Sequence, residues 1–276
     1  MELLNIRKEI ILNLKEDIPE LVDKFNHFIL KPLPSKKNSV SELIFNKKTE
    51  NYPKEFIIKI FRTPNIENEY LTLKKLHKQK LPVPKILFYK APFLLLEKFN
   101  GINLCDLINN NLMKVESLDN LDSEIKKKII ISIDKLANWL AQLHSNNIIG
   151  KNEDTIVLNK GDTRLRDFIY EQSDHSLYGT DFEDSYEGNH IDDIAWICCS
   201  LLDTKPGIFE VIDPKPKIEL VNIFIKNYYN HNKNFHFNFK YFAERLIENL
   251  NIVMKRRNIK LSLDKSNFID YISKEI

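Results

Sequence analysis

The chain is poor in the residues that build covalent or metal frameworks. Three cysteines in 276 residues, two of them adjacent (Cys198, Cys199), give neither a disulfide framework nor a metal-ligand spacing. The seven histidines are scattered, with no i, i+4 pair on a clear helix face, so no zinc is assigned. A basic excess is missing as well: 41 Lys and Arg face 39 Asp and Glu, for a net charge of +2. That argues against a dedicated nucleic-acid binder. No run approaches the roughly 18 consecutive apolar residues of a membrane span. The N-terminal stretch "MELLNIRKEIILNLKEDIPEL" interleaves charges with its apolar residues, unlike a signal peptide. These absences predict a soluble chain of the reducing cytoplasm, without nucleic-acid or membrane partners. It is long enough for two lobes with an ample core.

Glycine is scarce too, six in all, yet Gly161, Gly179 and Gly188 fall in one window dense with aspartates. Glycine is kept where the backbone needs φ > 0 or must approach something closely. We therefore expect tight turns there, and aspartates that are either solvated turn residues or ligands.

Organisation changes along the chain. The first 25 residues read as one or two short amphipathic helices broken near Pro19. Strand periodicity follows in "HFILKPL", "SELIF" and "EFIIKIF", then a helix in "NIENEYLTLKKLHKQK" ended by "LPVP", then strands "KILFY" and "FLLLEKF". From about residue 102 the pattern is mostly helical. The clearest helix covers about 122–145, where Ile129, Ile133, Leu136, Leu140 and Leu143 recur at spacings of 4 and 3. Short strands "FIYE" and "SLYGTDF" follow, then helices near 190–203, 216–229 and 238–258. The expected fold is α+β in two lobes. Residues 1–98 form an N-terminal lobe with a five-stranded antiparallel sheet and one main helix; residues 99–276 form a larger, mostly helical lobe.

Chemistry-bearing residues stand out on this frame. Lys59 lies in the middle of a strand apolar on both faces, where a lysine rarely stays without a partner. Either the strand is an edge and the stem reaches solvent, or the ammonium faces an anion and is held by a carboxylate. Glu69 or Glu67 on the next helix can supply it. Asp162, Asp167 and Asp181 lie around two short strands that would pair as a hairpin and bring the three to one end. Gathered carboxylates repel unless a cation neutralises them, and hard oxygen ligands suit Mg²⁺. The combined layout reads as a metal and phosphate site facing a lysine from the other lobe.

The order strand lysine, helix glutamate, hinge, long helix, loop aspartate and strand-ending aspartate resembles the protein-kinase-like superfamily. "LAQLHSNNI", "KGDTRLRDFIY", "YGTDFED" and "GNHIDDIAWIC" look most like the aminoglycoside phosphotransferase and choline kinase family. The resemblance covers roughly residues 40–200. It implies an ATP- and Mg²⁺-dependent phosphotransferase. Asp162 would be the catalytic base and Arg164 would sit near the transferred phosphate. Asp181, in the place of the kinase D-F-G aspartate, and Asp167 would bind Mg²⁺. Lys59, paired with Glu69, would hold the α- and β-phosphates. Leu96 would line the adenine pocket, and backbone groups of Glu97 and Phe99 would meet the base. Asp193 would tie down the catalytic loop.

The chain departs from the pattern in three places. Asp167 stands where the family has asparagine, so metal binding is expected to be kept and tightened. Lys160 stands where histidine often precedes Gly-Asp. The turn "PSKKNSVS" has no glycine, and Lys36 or Lys37 would take over phosphate contact there.

Only eleven residues, "FEDSYEGNHID", separate Asp181 from Asp193, too few for a protein kinase's activation segment. A small-molecule hydroxyl acceptor is therefore expected. Tyr228, Tyr229, Phe239 and Phe242 offer a cradle for an amine or sugar, whereas the helical spacing of Phe239, Phe242, Leu246, Leu250 and Val253 reads as core. "KRR" at 255–257 reads as charge complementing a helix end. Two other readings fit the same residues: a catalytically silent nucleotide-binding scaffold and a compact Ser/Thr protein kinase.

Overall fold

A computed structural model describes residues 2–14, 16–17, 19, 28–35, 37–45, 53–62, 64–113, 115–151, 155–205, 207–208, 214–259 and 269–273. The chain divides into two compact units. One comprises Met1–Lys74 and Pro84–Phe99, the other Lys75–Val83 and Asn100–Ile276.

The first unit is built on an antiparallel sheet of strands β1 (Phe28–Leu33), β2 (Ser39–Phe45), β3 (Glu55–Ile60), β4 (Ile86–Lys90) and β5 (Phe93–Glu97), in the order β1-β2-β3-β5-β4. Period-2 alternation sends Phe56, Ile58 and Ile60 to one face. There they bury against Leu43, Phe45, Phe93 and Leu95, under Ile10 and Leu14 of helix α1 (Glu2–Leu14). The expected second N-terminal helix, after Pro19 and up to about residue 25, lies outside the described residues. Strand β3 is central, paired with β2 and β5, so the edge-strand reading of Lys59 fails. Helix α2 (Ile66–Lys78) starts with Glu67 and Glu69 and ends with Lys75, His77 and Lys78, a charge order that complements its dipole. Tyr70 on α2 stacks on Tyr89 of β4 at 3.9 Å between ring centres.

The second unit is mainly helical. Its helices are α3 (Leu104–Leu112), α4 (Ser123–Ser145), α5 (His190–Asp203), α6 (Lys215–His231) and α7 (Phe239–Arg256). Short polar caps start four of them: the side chains of Asn103, Asp122, Asn189 and Asn238 accept backbone N–H groups of the first turn. The α4 face predicted from spacing is buried, with Ile129, Ile133, Leu136 and Leu140 all at 0% exposure. Tyr228 and Phe242 are buried to the same degree and Tyr229 nearly so, which places these aromatics in the core.

Two small sheets were not all foreseen. Strands β9 (Phe168–Tyr170) and β10 (Leu177–Gly179) form the expected hairpin, joined at its edge by β6 (Ile102–Asn103). Strands β7 (Ile148–Lys151), β8 (Thr155–Asn159) and β11 (Tyr186–Asn189) form a further sheet that the sequence reading missed. Strand β11, the stretch Tyr186–Asn189, carries no apolar alternation to mark it. Gly188 lies in β11, so the tight turn expected at it is corrected.

Candidate active site

The sequence window 160–193 folds into one constellation within the second unit. Strand β8 ends at Asn159, and the loop that follows turns at Gly161, the single glycine with positive φ among the described residues (+74°). A Cβ there would lie 2.1 Å from the carbonyl oxygen of Asp184, so no other residue fits without movement. Gly179 serves differently: a Cβ would strike the Trp139 indole at 2.3 Å. The remaining left-handed positions of the site belong to aspartates themselves, Asp162 at φ 37° and Asp181 at φ 65°. Non-glycine residues held there carry strain that gathers at functional sites. The expectation that three glycines make these turns thus holds for Gly161 alone.

Asp193, on the first turn of α5, ties the loop down. It is buried at 0% exposure and accepts four hydrogen bonds: Lys160 N–H at 2.6 Å, Gly161 N–H at 3.1 Å, Thr163 Oγ1 at 2.5 Å and His144 Nε2 at 3.2 Å. A carboxylate only accepts, so His144 carries its proton on Nε2, and its Nδ1 accepts from the Tyr228 hydroxyl at 2.7 Å. Burial alone would push the Asp193 carboxyl up. The hydrogen bonds from His144, Thr163 and Lys160 outweigh it and hold the group below the usual carboxylate range. The part played by His144 and Tyr228 was not read from the sequence. A histidine in the last turn of α4, at the apolar spacing, was the available signal.

Asp162 lies two residues before Arg164, which grips it with three contacts: Nε to Oδ1 at 2.9 Å, and Nη2 to Oδ1 and Oδ2 at 2.7 and 2.8 Å. Arg256 of α7 adds a guanidinium 3.6 Å from Oδ1. The basic end of α7 therefore does more than complement the helix dipole. Arg256 reaches the site, and Arg257 bonds Asp203 at 2.8 Å.

The hairpin does bring Asp167 and Asp181 together, since Thr180 N–H bonds the Asp167 carbonyl at 2.8 Å just beyond the Phe168–Gly179 pair. Between them sits Lys160, 1% exposed. Its ammonium lies 3.3 Å from Asp167 Oδ2 and donates to the Asp181 carbonyl at 2.9 Å, above the rings of Phe168 and Phe182. The charge that Asp167 adds is thus offset on the spot, which removes the ground for expecting tighter metal binding. Burial still pushes the Asp167 carboxyl up, against the pull of Lys160 and with the Asp181 charge. Glu183, unassigned from sequence, is buried and brings a carboxylate oxygen within 4.8 Å of one on Asp181.

In the first unit, Lys59 and Glu69 meet at 2.6 Å, with 7% and 1% exposure. Glu67 is exposed, so the choice between the two glutamates is resolved for Glu69. Leu96 is buried, and the Glu97 N–H is committed to the Lys85 carbonyl at 3.0 Å. Phe99 is half-buried and ends this unit. The glycine-free turn is organised by Asn38, whose side chain accepts the Arg62 N–H at 3.1 Å. Lys37 is exposed there, and Lys36 lies outside the described residues.

Beside the loop, His190 is 2% exposed and contacts Tyr229 through Nε2 at 3.1 Å. Burial drives its pKa down to about 3. The unfolded chain, with a histidine pKa of about 6.5, binds this proton first, so stability is complete above that pH and falls as acid is added. We expect a loss approaching 1.4 kcal/mol per pH unit from this group between about pH 6 and 4. Thermal melts at stepped pH should show His190→Gln with a shallower acid slope than the parent.

The fold defined by these two units is the two-lobed protein-kinase-like fold. The chain is similar over 99% of its length to an amicoumacin kinase solved in complex with AMP-PNP, Ca²⁺ and Ami, covering 95% of that chain at 15% identity and TM-score 0.52. It is similar to Plasmodium vivax ethanolamine kinase over 96% of its length and 86% of that chain, at 15% identity and TM-score 0.51. A choline/ethanolamine kinase family protein from Mesorhizobium loti matches 88% of this chain and 84% of its own, at 10% identity and TM-score 0.50. At these identities the likeness is one of fold. No family model and no curated protein matches the sequence. Among the described residues, no helix is long and apolar enough to cross a membrane.

Proposed function

We propose that the chain is an ATP- and Mg²⁺-dependent phosphotransferase that moves the γ-phosphoryl group to a hydroxyl of a small molecule. The observation that carries this reading is Asp162, held at positive φ and gripped by Arg164 on a loop tied to buried Asp193. Phosphoryl transfer has a loose transition state, and its catalysis is mostly positioning and charge stabilisation. Asp162 is assigned the acceptor hydroxyl: it orients the O–H and takes its proton. Arg164 spans the Asp162 carboxylate and is assigned the charge on the transferred group.

Asp181, Asp167 and Glu183 offer hard oxygen donors of the kind Mg²⁺ takes, and the bound ion would neutralise phosphate charge. Lys59, fixed by Glu69, is assigned the α- and β-phosphates. Leu96 is assigned the wall of the adenine pocket. Phe99 contributes a backbone group to the base and, its N–H being committed, Glu97 contributes its carbonyl. The similar structures that are kinases of amicoumacin and ethanolamine favour a small acceptor, as does the short segment after Asp181.

The test is the unfolding midpoint with ATP, with and without Mg²⁺. At 100 times its dissociation constant a ligand adds about 2.7 kcal/mol. A rise that needs Mg²⁺ is the expected result. No rise with any nucleotide would overturn the reading, and a rise without turnover of any hydroxyl compound would leave the silent scaffold.

A further inference from the structure

A cavity of about 230 Å³ opens in the second unit beside the Asp162 loop, walled by that loop, α3, α5 and the end of α7. Its lining is unlike that expected for a cationic acceptor. Arg164, Arg166, Lys205 and Arg257 all face it, against the single carboxylate of Asp203. Two of these cations are already matched, Arg164 by Asp162 and Arg257 by Asp203. Among the described residues neither Arg166 nor Lys205 has an ion-pair partner.

Two further features specify the ligand. The Asn109 side chain lines the cavity and leaves its Oδ1 buried without a hydrogen-bond partner, an acceptor waiting for an N–H or O–H. Trp196 supplies a flat wall, with the Arg164 guanidinium 5.8 Å from its ring centre. The two thiols present, Cys105 and Cys199, are pushed up by burial and stay neutral, so they add no negative charge.

We infer that this cavity takes a small hydroxylated anion, a carboxylate or phosphate ester, as the phosphoryl acceptor. The inference rests on the phosphotransferase reading. The anionic group pairs with Arg166 and Lys205, a donor of the ligand reaches Asn109 Oδ1, and the reacting hydroxyl is left toward Asp162. In the step itself the acceptor oxygen bonds to the γ-phosphorus while the bond from that phosphorus to the β,γ-bridging oxygen breaks. ADP departs with the electron pair and the hydroxyl proton passes to Asp162. A cationic amine would instead meet two unpartnered like charges, a direct penalty on the wrong substrate.

Trp196 gives a local probe, because the other tryptophan, Trp139, is buried away from the cavity lining. Fluorescence is titrated with glycerate, glycerol 3-phosphate, inorganic phosphate and choline, for the parent chain and for Arg166→Met/Lys205→Met. Saturable change with at least one anion is expected, weakened about tenfold or more for each charge removed, and absent with choline. Glycerate against glycerol 3-phosphate separates the carboxylate from the phosphate source. No saturable change with any anion, an equal response to choline, or anion binding untouched in the double variant would each overturn the assignment. The ATP melt is run in parallel. Anion binding without a nucleotide shift would remove the phosphotransferase reading and leave an anion site.

Discussion

Asp162→Ala is expected to lower ATP-dependent transfer by 10²–10⁴-fold, the range for removing a positioned general base. The ATP- and Mg²⁺-induced rise in the unfolding midpoint should survive, because Asp162 is assigned the acceptor and not the nucleotide. The size of the loss is diagnostic. Arg164 holds this carboxylate through three contacts, so on the proposed reading part of the loss should come from the lost orientation of the hydroxyl. Asp162→Asn, which keeps an oxygen in place, should therefore retain more activity than alanine. Turnover unchanged in Asp162→Ala would remove the residue from the mechanism.

Lys160→Met is expected to cost about 3 kcal/mol, the low end for opening a buried ion pair, since Asp167 keeps some solvent contact. In a chain of this size that lowers the unfolding midpoint by roughly 6–12 °C. The loss has two parts: an Asp167 carboxylate without its partner, and an Asp181 carbonyl without its donor. Lys160→Met/Asp167→Asn removes both charges and should recover most of the loss. With the ammonium gone, Mn²⁺ alone should raise the midpoint of Lys160→Met more than that of the parent, because a free cation can take the place of the tethered one. A Lys160→Met chain as stable as the parent, with the same response to Mn²⁺, would show that the ammonium has no such role.

Much of the frame was legible in the residues. The five strands and the helix of the first unit announced themselves through alternation and 3–4 spacing, and the α4 stripe needed no tertiary information. Lys59 was readable as a partnered lysine because burying it alone is too costly, and Glu69 was within reach on the next helix. What stayed hidden depends on contacts distant in sequence. The ion pair between Lys160 and Asp167 looks from sequence like two unrelated departures, and only the hairpin reveals them as one. Arg256 and Arg257 read as a helix end because nothing local points Arg256 at the Asp162 loop some ninety residues earlier, or Arg257 at Asp203 on α5 some fifty residues earlier. The sheet of β7, β8 and β11 escaped because β11, the stretch Tyr186–Asn189, carries no apolar alternation and finds its partner β8 about thirty residues away. Glu183 went unassigned because it sits where the related motif has glycine.

The bonds to Asp193 have a consequence for when the site exists at all. The loop amides at Lys160 and Gly161 are held by a residue on α5, which is held by His144 on α4, which is held by Tyr228 on α6. The shape of the loop thus depends on three docked helices as well as on its own Gly161. Such a loop is expected to open together with the helices that hold it and not ahead of them. During folding the loop is expected to gain its final form only once the contact between residues 144 and 228 has closed. A chain caught before α6 docks would have its secondary structure without the fixed form of this loop.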